Sequence, residues 1–104
     1  MLSYKQGVRF GPILSPIHCF INVAAEVYSE FGYDTVVTSI NDGKHSPNSL
    51  HWVGHAADLR TAVAGITPDI AEEIVQVIME RLPVAEFDVI VEHDHIHGEF
   101  QPER

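Results

Sequence analysis

The stretch Glu86-Phe87-Asp88-Val89-Ile90-Val91-Glu92-His93-Asp94-His95-Ile96-His97-Gly98-Glu99-Phe100 decides how the chain folds. Phe87, Val89 and Val91 alternate with polar residues, so they fall on one face of an extended strand. The chain then bends near His93-Asp94 into a second extended run. Upstream, Ser15-Pro16 followed by Ile17, Phe20, Ile21, Ala24, Ala25, Val27 and Tyr28 predicts an N-capped helix with proline at its first position, ended by Gly32. Asp34 to Ile40 contains the β-branched run Thr35-Val36-Val37-Thr38 and predicts a strand. Residues 41–50 are crowded with turn formers and predict a loop. Ala56 to Arg60 predicts a short strand. Thr67-Pro68-Asp69 starts a second helix, with Ile70, Ala71, Ile74, Val75, Val77, Ile78 and Leu82 as its apolar positions and Pro83 as its stop.

Helices and strands do not alternate regularly enough for a doubly wound sheet. The expected fold class is therefore α+β, with two helices packed on a small, mainly antiparallel sheet. With 104 residues, the chain suits a single domain over residues 1–104. Apolar residues make up 45% and charged residues 20%, a globular balance that supports a packed core. So short a chain buries a modest share of its surface.

Fifteen acidic residues against six basic ones give a formal net charge of −9, which repels a phosphate backbone and argues against nucleic acid as a partner. Other anionic polymers are repelled at long range too. No segment reaches the roughly 18 apolar residues of a membrane span, and Met1 to Gly11 lacks the basic start and apolar run of a secretory signal. Synthesis in the cytoplasm without a signal peptide is expected, as is a monomer. The single cysteine, Cys19, forms no intramolecular disulfide and reads as a buried thiol in an apolar helix, with His18 on a different helix face. Glu72-Glu73 reads as a solvated face favoured by the helix dipole, and Trp52 as a pocket wall or core residue.

The chemistry lies in the histidines. Of seven, six fall in two clusters: His45, His51 and His55 in and beyond the loop, and His93, His95 and His97 in the terminal stretch. Zinc takes imidazole nitrogen at about 2.0–2.1 Å and carboxylate oxygen at a similar distance, and a catalytic site has three protein ligands plus a water. Gly54 allows a tight turn between His51 and Asp58. His95 and His97 are two residues apart on a strand and share a face. His45, His55 and His93 read as hydrogen-bonding or solvent-exposed neighbours. Manganese or iron would suit a two-histidine, one-carboxylate site equally well by ligand type.

The segment Ser49-Leu50-His51-Trp52-Val53-Gly54-His55-Ala56-Ala57-Asp58 matches Ser-x-His-x-x-Gly-x-Ala-x-Asp at all its fixed positions, and a His-x-His follows at His95 and His97. In this the chain resembles the zinc D-Ala-D-Ala carboxypeptidase family, with its VanX-like and VanY-like dipeptidases and phage endolysin L-alanyl-D-glutamate peptidases, in the superfamily of lysostaphin and the hedgehog domain. The resemblance implies a hedgehog/D-Ala-D-Ala peptidase-like fold and a Zn2+ ion held by His51, Asp58 and His97. It implies Asp94 as catalytic acid and base, with Glu92 slightly upstream as the other candidate, and His95 orienting substrate or steadying the oxyanion. Many family members carry an arginine before the first histidine, where this chain has Ser39, Asn41, Lys44 and His45. The resemblance leaves Lys44, His45 and Arg60 as candidates for the positive donor, with Ser49 beside them in the motif as a further substrate-binding candidate.

The reaction so implied is peptide hydrolysis by direct attack of water, without a covalent intermediate. The substrate would be peptidoglycan peptides, cut in the stem or at a D-Ala terminus. The enzyme would act on the cell wall after release or as part of a phage particle. The alternative from another class is a zinc-stabilised binding or virion structural module that has lost catalysis.

Overall fold

The computed structural model describes residues 1–6, 15–41, 56–83 and 86–101. It is an α+β fold of two helices and a five-stranded mixed sheet. The strands are β1 (Leu2–Tyr4), β2 (Thr35–Asn41), β3 (Ala56–Arg60), β4 (Phe87–Val91) and β5 (His95–Phe100), and the helices are α1 (Ser15–Glu30) and α2 (Pro68–Arg81). The spatial order is β1-β2-β3-β5-β4. Among the described residues only the β1–β2 pair is parallel, so the sheet is mainly antiparallel as the sequence predicts.

Local chemistry explains the helix ends. After α1, Gly32 adopts φ 88°, its N–H bonds to Ser29 O, and the N–H of Tyr33 reaches Tyr28 O. This left-handed cap satisfies carbonyls the helix would otherwise leave unpaired, and glycine adopts it without a Cβ penalty. Thr67 caps α2 by accepting the Ile70 N–H at 3.3 Å, Pro68 fills the first turn, and Leu82 ends the helix just before Pro83.

Both helices pack on one face of the sheet. Ile17, Phe20, Ile21, Ala24, Val27 and Tyr28 from α1, and Ala71, Ile74, Val75 and Ile78 from α2, meet Val37, Ala57, Leu59, Phe87, Val89 and Ile96. The phenol of Tyr28 reaches across to Arg60 O at 3.0 Å, tying α1 to β3, and burial pushes its pKa up. Arg81 joins α2 to α1 through Glu30 at 2.7 Å. Cys19 is partly rather than fully buried and packs at the edge of this core. Glu72 and Glu73 are exposed, as a solvated face requires.

Gly98 sets how closely α1 approaches β5. A Cβ at this position would overlap the ring of Phe20, which is fully buried. Gly98→Ala is expected to lower unfolding free energy by about 1–3 kcal/mol or more through overpacking, read as a reduced urea midpoint. An unchanged midpoint would show that the Phe20 ring relaxes freely.

Candidate metal centre

Among the described residues, the sheet face opposite the helices carries no helix, and the chemistry-bearing side chains gather there. Period-two alternation turns Ala57 and Leu59 of β3 toward the core and Asp58 and Arg60 away from it. On β5, Ile96 and Gly98 face the core side, leaving His95, His97 and Glu99 on the other. Register then decides the neighbours. Asp58 lies directly opposite His97, and Arg60 opposite His95. A bulge between Val37 and Ser39 switches the phase of β2, so that Ser39, rather than Thr38, pairs with Asp58. The hydroxyl of Thr38 instead donates to Asp58 O at 3.4 Å.

Two imidazoles converge on one carboxylate. His97 Nδ1 donates to Asp58 Oδ1 at 2.6 Å, and His95 Nε2 stands 3.6 Å from the same oxygen. The far nitrogen of each ring is also held by a carboxylate. Asp94 Oδ1 accepts from His95 Nδ1 at 2.7 Å, and Glu99 Oε1 accepts from His97 Nε2 at 3.1 Å. Among the described residues, Asp58, His95 and His97 bring one ligand atom each within 4.8 Å of one another. One carboxylate and two imidazoles make a donor set that suits zinc.

Charge follows the same contacts. Hydrogen bonding to Asp58, and then to Glu99, raises the His97 pKa from 6.5 to about 9 against the opposing effect of burial. The bond from His95 holds the Asp94 carboxyl below its ordinary value. In the metal-free protein, His97 is therefore a cation held between two carboxylates. Its folded-state pKa lies above that of the unfolded chain. The stability it adds is present in full below about pH 6.5 and is lost as pH rises through about 9, with a ceiling of about 3 kcal/mol. Urea unfolding of chelator-treated protein at pH 6 and pH 9 measures this, and His97→Gln should flatten the difference.

The sequence-predicted residues divide cleanly. Asp58, His97, His95 and Asp94 come together, and Arg60 sits on the same face opposite His95. Glu92 lies exposed at the start of the β4–β5 turn, its N–H bonded to His95 O. His51, Ser49, Lys44 and His45 lie outside the described residues, as do Trp52 and His55. Glu99 escaped the sequence reading; its place two residues beyond His97 on the same strand face was the signal available. Among the described residues no helix is long and apolar enough to cross a membrane. No family model, curated protein or solved structure matches this chain.

Proposed function

We propose that the chain is a zinc-dependent peptidase domain with a hedgehog/D-Ala-D-Ala peptidase-like fold, hydrolysing peptidoglycan peptides within the stem or at a D-Ala terminus. The observation that carries this reading is the Asp58–His97 pair, set side by side by strand register with His95 converging on the same carboxylate. These are three of the residues on which the motif resemblance rests, and they come from separate parts of the chain; Ser49, His51 and Gly54 of the motif lie outside the described residues.

Asp58 and His97 hold the ion, with His51 of the Ser49–Asp58 motif as third ligand. A bound zinc supplies a Lewis acid that polarises the scissile carbonyl and makes water a usable nucleophile near neutral pH. Proton transfer, which the resemblance gives to Asp94 alone, is assigned here to His95 and Asp94 as one unit. Asp94 fixes the ring through Nδ1, leaving Nε2 toward the ligand cluster, where it accepts a proton from the attacking water and returns it to the leaving amine. Glu92, on the same turn, is the other candidate for that role. Arg60 supplies a positive donor on this face for a substrate carbonyl or carboxylate, and Lys44, His45 and Ser49 are the other candidates for substrate binding. The domain works as a monomer on the cell wall, reached after release or within a phage particle.

The test is release of new amino groups from purified peptidoglycan by zinc-loaded and metal-stripped protein. Release that follows zinc supports the reading. Zinc uptake without release moves the protein to a zinc-stabilised binding module.

A further inference from the structure

We propose that Glu99 is a positioning residue of this centre, holding His97 so that Nδ1, rather than Nε2, is presented beside Asp58. The inference rests on the metal-site reading above and adds a residue that the motif does not contain.

Residues 97, 99 and 101 follow one another along the β5 direction at the period that keeps side chains on one face. The side chains connect in series. Gln101 Nε2 donates to Glu99 Oε2 at 3.0 Å, and Glu99 Oε1 takes the Nε2–H of His97 at 3.1 Å. His97 Nδ1 then meets Asp58 Oδ1 at 2.6 Å. The Glu99 side chain is only 16% exposed, low for a glutamate, so its carboxylate has given up much of its water and depends on these two donors.

Glu99 is not part of the trio whose ligand atoms converge. Its effect runs through the ring. A neutral imidazole carries one N–H and one lone pair, and an acceptor fixed at Nε2 keeps the proton there and leaves the lone pair at Nδ1. The carboxylate also makes that lone pair a stronger donor to a metal. Asp94 treats His95 in the same manner with the nitrogens exchanged, so both imidazoles are oriented from behind.

Zinc affinity of the full chain, measured by competition with a chromogenic chelator, tests this in wild type, Glu99→Ala and Glu99→Gln. Long-range 1H–15N spectra of the zinc-loaded wild type identify which His97 nitrogen carries the proton. Glu99→Ala should weaken zinc binding roughly 10- to 100-fold. Glu99→Gln should recover part of that loss, because its amide oxygen still accepts the Nε2–H. The wild-type ring should be protonated at Nε2 and metal-bound at Nδ1. Zinc binding by Glu99→Ala within twofold of wild type overturns the inference and leaves the metal site standing, as does a His97 bound through Nε2. Failure of the wild type to take up zinc overturns the metal site itself. If Glu99→Ala does not fold, the glutamine variant and the wild-type ring spectrum still decide.

Discussion

Asp58→Ala should abolish stoichiometric zinc retention and lower peptide release from peptidoglycan by roughly a thousandfold or more, since losing a metal's charge stabilisation costs several kcal/mol and each 1.36 kcal/mol is tenfold. Asp58 is the point on which the site converges, because His97 Nδ1 and His95 Nε2 both face its Oδ1. Its side chain is on the sheet face opposite the helices, so truncation leaves the apolar contacts of Ala57 and Leu59 in place. Stability of the metal-free protein is still affected, because His97 loses its closest partner. Asp58→Asn keeps the shape and a neutral acceptor, and separates loss of the carboxylate charge from loss of packing. Circular dichroism confirms the fold, elemental analysis gives the metal, and an amine-reactive dye gives the release. A folded Asp58→Ala protein with wild-type zinc content would remove Asp58 from the centre.

The second large effect distinguishes His95 from His51. On the proposed role in moving protons, His95 should tolerate replacement by glutamine with one zinc per chain retained, while release falls by about 10²- to 10⁴-fold, the usual contribution of a positioned acid or base. His51→Ala should lose the zinc. The reverse result, zinc lost in His95→Gln and kept in His51→Ala, would make Asp58, His95 and His97 the ligand set, for which their convergence within 4.8 Å provides the geometry. Asp94 would then be the outer carboxylate of a ligand, as Glu99 is for His97.

What the sequence made legible was whatever local pattern controls. The apolar spacing of α1, the stop at Gly32, the Thr67-Pro68 start of α2 and the bend at His93-Asp94 each depend on residues within a turn or two of one another. Strand β1 was missed because three residues, Leu2–Tyr4, carry no usable period and are fixed by distant pairing with Thr35, Val36 and Val37. The phase of β2 was equally hidden. Thr35-Val36-Val37-Thr38 reads as a strand, yet only the bulge before Ser39 decides which residue sits beside Asp58.

At the site, Asp58 and His97 stand out in the sequence through the histidine clusters and the motif, and the structure sets them side by side. Their direct opposition is a consequence of β5 lying between β3 and β4, a non-sequential order that no window of sequence reveals. Glu99 was overlooked because a glutamate near the end of a strand ordinarily faces water. Here it is mostly buried by its bonds to His97 and Gln101. The demand for glycine at position 98 likewise comes from a distant element, the Phe20 ring of α1.

The most direct test of the central claim is the zinc content of the purified wild-type chain, by elemental analysis after dialysis against a weak chelator, with His97→Ala beside it. One zinc per wild-type chain and none in His97→Ala is the predicted result. A folded wild-type protein that takes up no zinc, even when the ion is supplied, would contradict the account.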